Sequence, residues 1–176
     1  GIDYDQLVVT GTAKIGGKLN VSLLKDFLPS AGNNFLVLVA GVLTGSFGEA
    51  NGLDVSDSIV LDMREVNDHV ELVGVEVDQL GTAGHDVLIG TAGSQDVIVG
   101  GSGNDIIEGI SGADILYGQD GNDVFAVATD FKRIDGGAGI DRVALPESVD
   151  YRTVEGVRIE RIEVLDLNDA DADSIE

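Results

Sequence analysis

The amino-acid sequence predicts an all-β protein made of thin stacked layers, and three observations carry that expectation. Gly is abundant at 25 of 176 residues, Pro occurs twice, and aromatic residues make up only 5%. Such a composition does not suit a core of large side chains. It suits Val, Ile and Leu stacked between tight turns. The sequence also repeats every nine residues from Gly81 onwards, and before that point short alternating runs are set off by turn residues.

Charge narrows the function classes. The formal charge is −22, from 32 acidic and 10 basic residues. A surface of that sign repels nucleic acid and anionic lipid, so neither is expected as a partner. It also repels itself unless cations neutralise it. There is no cysteine, so disulfides play no part. No run of about 18 apolar residues exists, and no membrane insertion is expected. The most apolar stretch, Asn34–Val42, is too short and lacks the charged flank of a signal peptide. Gly1 in place of Met, and an end within an acidic run, read as those of a piece excised from a longer chain.

Residues 1–80 show strand signals throughout. Lys18–Leu23 alternates apolar and polar residues, Ser58–Met63 places Ile59, Leu61 and Met63 on one face, and Val70–Val77 is rich in β-branched residues. Gly16-Gly17, Pro29–Asn34 and Asn51-Gly52 punctuate these runs. Val21–Leu28 is the one helix candidate, and it is too short. Lys14, Lys18 and Lys25 read as a solvated face.

The segment Tyr4–Ala13, followed by Gly16–Val21 and by Pro29–Gly32 with Phe35, resembles the terminal coils of right-handed β-helices in large bacterial surface and autotransporter-like proteins. The resemblance covers roughly residues 3–77. It implies that residues 1–80 are the closing coils of a β-helix that lead into the next module.

The repeat begins with Gly81–Ile89 and continues as Gly90–Val99, Gly100–Glu108, Gly109–Tyr117, Gly118–Ala126, a degenerate unit Val127–Asp135, and Gly136–Ala144. Gly90–Val99 carries one extra residue near Ser94-Gln95. The eighth position holds Leu88, Ile98, Ile107, Leu116, Phe125, Ile134 and Val143. With 43% of residues apolar, seven matches at one phase arise by chance with a probability of roughly 0.003. Aspartate recurs at Asp86, Asp96, Asp105, Asp114, Asp123 and Asp141.

Chemistry explains this pattern. Glycines let a six-residue turn adopt backbone angles that other residues avoid, and let carbonyl oxygens converge. The aspartate closes the turn with a hard anionic oxygen, and a three-residue strand follows with its central side chain inward. Two carboxylates about 4 Å apart repel by roughly 4 kcal/mol at an effective dielectric of 20, so a stack of them needs a cation. Calcium takes about 6–8 oxygen ligands, which carbonyls and carboxylates supply. Turns that hold no metal are the weaker alternative.

These nonapeptides resemble the RTX (hemolysin-type) calcium-binding repeat, in which two consecutive units make one turn of a parallel β-roll. The resemblance implies about four Ca2+ ions between loops two repeats apart. They would be held by the pairs Asp86/Asp105, Asp105/Asp123 and Asp123/Asp141 on one edge, and by Asp96/Asp114 on the other. Asp86 and Asp141 then end the longer edge. Backbone carbonyls of Gly81, Ala83, Gly90, Gly100, Ser102, Gly109, Ser111, Gly118, Asp120, Gly136 and Ala138 complete the expected ligand set. Lys132 takes the aspartate position of the degenerate unit and puts a further site with Asp114 in doubt. Thr82, Thr91, Ile110 and Gln119 replace the second glycine. The resemblance also implies type I secretion, with the repeats folding only outside the calcium-poor cytosol.

Three parts are therefore expected: β-helix coils over 1–80, a calcium β-roll over 81–144, and a capping β segment over 145–176 marked by Ile159-Glu160-Arg161-Ile162. Asp169, Asp171 and Asp173 alternate as at the start of an EF-hand loop, but the sixth position holds Ser174 rather than Gly, and no site is assigned there. Catalysis lacks a constellation. Neither His-Glu-x-x-His nor Gly-x-Ser-x-Gly occurs, and His69 and His85 read as solvated. The expectation is a non-catalytic, extracellular, calcium-stabilised segment of a bacterial surface, adhesin or fibre-type protein of Gram-negative type, whose partners are calcium and itself or a cell-surface matrix. The alternative is the calcium module of a type I-secreted protease, lipase or epimerase.

Overall fold

The computed structural model describes residues 4–25, 27–128, 130–146 and 158–168, and every regular element among them is a β-strand. None of them forms a helix long and apolar enough to cross a membrane. The chain divides into two compact units, Gly1–Glu76 and Val77–Glu176.

The first unit opens with one parallel coil. Strand β1 (Leu7–Ile15) pairs in parallel with β3 (Asn34–Gly45), and β2 (Lys18–Asn20) pairs likewise with β4 (Glu49–Asn51). Leu7 faces Leu38 and Lys18 faces Glu49, so the chain returns to the same place after 31 residues (38 − 7 and 49 − 18). Gly17, Gly32 and Gly52 take positive φ at the corners, where the sequence reading places turns. Lys18 forms an ion pair with Glu49. Phe35, Leu38, Ala50, Leu53, Leu61, Met63, Val70 and Leu72 form the core.

The expectation of parallel coils over the whole of 1–80 does not extend past this turn. Strands β5 (Asp54–Ser56), β6 (Ile59–Val66) and β7 (His69–Glu76) run antiparallel, and the sheet order is β1-β3-β7-β6-β5. The reason is the length of the connections. Asp57-Ser58 and Asn67-Asp68 are two-residue turns, and two residues can close a hairpin but cannot carry a crossover between parallel strands.

The second unit is two parallel five-stranded sheets. One contains β8 (Gln79–Leu80), β10 (Val97–Ser102), β12 (Ile115–Asp120), β14 (Arg133–Ala138) and β16 (Arg158–Glu160). The other contains β9 (Val87–Ile89), β11 (Ile106–Gly109), β13 (Val124–Val127), β15 (Arg142–Pro146) and β17 (Val164–Asn168). The chain passes from one sheet to the other at every loop, so two nonapeptides make one turn. Ile98, Ile107, Leu116, Phe125, Ile134 and Val143 are fully buried in a single core against which Leu88 packs. These are the seven eighth-position residues. The strand register also locates the extra residue of the second unit. Val87 pairs with Ile106 and Gln79 with Ile98, an offset of 19, whereas Val97 pairs with Ile115, an offset of 18.

Candidate metal centre

The turns between strands collect on two edges of this unit. The loops holding Asp86, Asp105, Asp123 and Asp141 lie on one, and those holding Asp96 and Asp114 lie on the other. On the first edge Asp86 donates its main-chain N–H to Asp105 Oδ1 at 2.9 Å, Asp105 to Asp123 Oδ1 at 2.8 Å, and Asp123 to Asp141 Oδ1 at 2.8 Å. On the second, Asp96 donates to Asp114 Oδ1 at 2.9 Å. The four aspartate pairs that the resemblance implies are thus each brought together by one carboxylate oxygen.

The other oxygen is the informative one. Asp105, Asp114, Asp123 and Asp141 are at most 1% exposed, and Oδ2 of each has no hydrogen-bond donor. A buried, unpartnered carboxylate oxygen is costly and calls for an ion or water. Burial is the first cause that pushes the carboxyls of Asp105, Asp114 and Asp141 above their ordinary value, and it carries Asp123 to about 6. The N–H bonds pull the other way, and neighbouring carboxylates push further up. At the two turn ends the same oxygen is already engaged: Asp86 Oδ2 accepts from Thr82 N–H at 2.6 Å and from its hydroxyl at 2.8 Å, and Asp96 Oδ2 accepts from Thr91 N–H at 2.6 Å.

Glycine makes room beside these oxygens. A methyl carbon built on Gly100 would lie 2.7 Å from Asp105 Oδ2 and 2.8 Å from Gly118 O, and one on Gly118 would collide with Asp123 Oδ2 and Gly136 O. Each cradle therefore brings together a carboxylate oxygen and the carbonyl of the next loop. Gly121 and Gly139 serve stacking instead, since a side chain there would strike the carbonyls of Gly103 and Gly121 beneath them. Gln119 adopts a φ of 74° at the second turn position, so the glycine it replaces is not required for the turn.

Six of the eleven candidate carbonyls divide into two kinds. Those of Gly100, Gly118 and Gly136 border the cradles. Those of Ser111, Asp120 and Ala138 accept N–H bonds from Gly93, Gly103 and Gly121 at 2.8–2.9 Å, leaving each a second lone pair. The carbonyls of Gly81, Ala83, Gly90, Ser102 and Gly109 lie in the same loops. Among the described residues no three His, Cys, Asp or Glu side chains converge on one point. Two carboxylates with convergent carbonyls are nonetheless a hard, all-oxygen donor set that suits calcium.

Several residues escaped the sequence reading. Asn104 Oδ1 accepts from Asn122 N–H at 2.9 Å, and Asn122 Oδ1 accepts from Ile140 N–H at 2.8 Å. His85 occupies the same rank. It is exposed, but its Nδ1 lies 3.1 Å from Asn104 N and 2.9 Å from Asn104 O. The fifth turn position therefore carries a second ladder beside the aspartates, visible in the sequence only as Asn before Asp. His69 is paired with Asp68 at 2.6 Å. In the degenerate unit a buried ionic cluster appears instead: Arg133 pairs with Asp135 and Glu160, Arg161 pairs with Asp135, and Arg133 sits 5.6 Å from the Tyr117 ring centre. Arg133 pairs with Ile115, so Lys132 aligns with Asp114 and stands where the next aspartate of the second edge would stand. Asp169, Asp171 and Asp173 lie outside the described residues, as do 147–157 of the capping segment.

Residues 80–109 and 93–125 match the model of the RTX calcium-binding nonapeptide repeat, in four copies. No curated protein and no solved structure matches the chain. Asp86, Asp96, Asp105, Asp114 and Asp123 fall within the matched residues, and Asp141 falls beyond them. RTX repeats bind Ca2+, and the family is typical of proteins secreted by Gram-negative bacteria.

Proposed function

We propose that the chain is a calcium-stabilised, non-catalytic segment of a large secreted surface, adhesin or fibre-type protein. The two aspartate ladders hold about four ions, each between loops one turn apart. Asp105 and Asp123 serve two ions apiece, and the glycine cradles supply carbonyl oxygens. Calcium neutralises the buried oxygens that otherwise oppose folding. The repeats remain unfolded during type I export from a calcium-poor cytosol and fold outside. Both the roll and the coil are taken as right-handed, the hand that parallel crossovers strongly favour.

The observation that favours a structural role over an enzyme's calcium tail is the open side of the first unit. β1 is the outer strand of its sheet, nine residues long, with Leu7 60% and Val8 61% exposed. Such an edge is a template for a further strand. A coil of the same 31-residue pitch added there would lengthen a shaft, and self-association or matrix binding would follow from that extended surface. The experiment is to read the parent gene upstream of the Gly1 codon. Further coils of that pitch support the proposal. A protease, lipase or epimerase domain there, or no coil at all, overturns it.

A further inference from the structure

The longer aspartate ladder does not stop at Asp141. Asp141 donates its main-chain N–H to Glu163 Oε2 at 2.8 Å, the bond that each earlier aspartate makes to the next. Glu163 stands in the aspartate position of the next turn, just before β17, where Arg142 pairs with Val164. It was invisible to the repeat because it lies 22 residues on (163 − 141) instead of 18. The loop here, Arg161–Glu163, has three residues where Gly136–Asp141 has six.

Two independent features point to a ligand at this end. Asp141 is fully buried and its Oδ2 has no donor. That oxygen is aimed at the space above Gly136, where an added methyl carbon would lie 2.5 Å from it and would collide with Arg161 O. The same cradle of aspartate oxygen and next-loop carbonyl occurs at Gly100 and Gly118. Arg161 takes the place of the loop-opening glycine, and it adopts a φ of 50°, the left-handed region that a non-glycine residue enters at a cost. Its guanidinium is directed to Asp135.

We infer that Asp141, Glu163 and the carbonyl of Arg161 form a further divalent-cation site of calcium type, which joins the capping strands to the roll, gives the longer ladder a fourth site and raises the total over both edges to about five. The inference rests on the calcium reading given above. Glu163 supplies the second carboxylate through Oε1, since Oε2 is engaged by Asp141 N–H. Asp141 thereby becomes an interior member serving two ions. The contrast with the other edge is one of charge: Lys132 ends that ladder with a cation, and Glu163 continues this one with an anion.

Native mass spectrometry of the whole chain at saturating calcium tests this. Glu163→Gln is expected to carry one ion fewer than the parent. Asp141→Asn is expected to lose two and Asp86→Asn one. An unchanged count in Glu163→Gln, or equal losses in Asp141→Asn and Asp86→Asn, overturns the further site while leaving the repeat sites in place. If Glu163→Gln does not fold, the comparison of Asp141→Asn with Asp86→Asn decides alone. A parent chain that binds no calcium removes both readings together.

Discussion

Asp105 donates its main-chain N–H to Asp123 Oδ1 at 2.8 Å, while Oδ2 of the same Asp123 carboxylate is buried without a donor. One oxygen thus fastens two turns, and the other is the ligand atom of the proposed ion site. On that proposal a single side chain couples backbone stacking to metal binding along the edge.

Interior and terminal members of the ladder should therefore differ. Asp123→Asn keeps the shape but removes the charge and weakens the oxygen as a ligand. It is expected to cost two ions, because Asp123 stands between Asp105 and Asp141. Asp86→Asn is expected to cost one, since Asp86 has a ladder neighbour on one side only and its Oδ2 is engaged by Thr82. Calorimetric stoichiometry of the two variants checks this, and equal losses would require the pairing to be redrawn.

Acid should act in opposite directions with and without metal. The Asp123 carboxyl lies at about 6, against an ordinary 3.8, and those of Asp105, Asp114 and Asp141 are also raised. A carboxyl whose value is higher in the folded than in the unfolded state binds its proton more tightly when folded, so stability falls as pH rises through that interval. In calcium-free buffer the melting temperature of the second unit should therefore rise as pH is lowered from about 7 towards about 4. Calcium needs the ionised form, so its affinity should increase over the same interval as pH rises. Thermal melts across this range check both, and a calcium-free melting temperature that falls steadily with acid would contradict the first.

The two units should respond differently to a chelator. Residues 1–76 draw their stability from the Phe35–Leu72 core and contain no aspartate ladder, so they should stay folded. Limited proteolysis in chelator is expected to cut beyond residue 77 and to spare the earlier part. Equal digestion of both would contradict the division.

What was legible in the sequence was whatever repeats. The eighth-position side chains fill one core, and the aspartates fall on two edges, because a period of nine in a parallel stack fixes both. The strands at Ser58–Met63 and Val70–Val77 were legible, but the antiparallel direction of β5–β7 was missed, since Asn67-Asp68 and Asp57-Ser58 are short turns within runs whose alternation fits either strand direction. Glu163 was missed because the connection from β15 to β16 is seven residues longer than in the repeat and the following loop three residues shorter, so the spacing becomes 22 instead of 18. The Arg133–Glu160 pair was missed because it joins strands 27 residues apart across an aperiodic connection. Periodicity carries no information about such pairs.

The most direct test of the calcium-stabilised fold is thermal unfolding of the whole chain by circular dichroism, in calcium and in chelator at neutral pH. An ion bound only to the folded state adds about 1.4 kcal/mol per site when calcium is tenfold above its dissociation constant, so several sites together should move the transition strongly. The account predicts loss of the second unit's β signal, or a much lower melting temperature for it, in chelator. An unchanged spectrum and an unchanged melting temperature would contradict it.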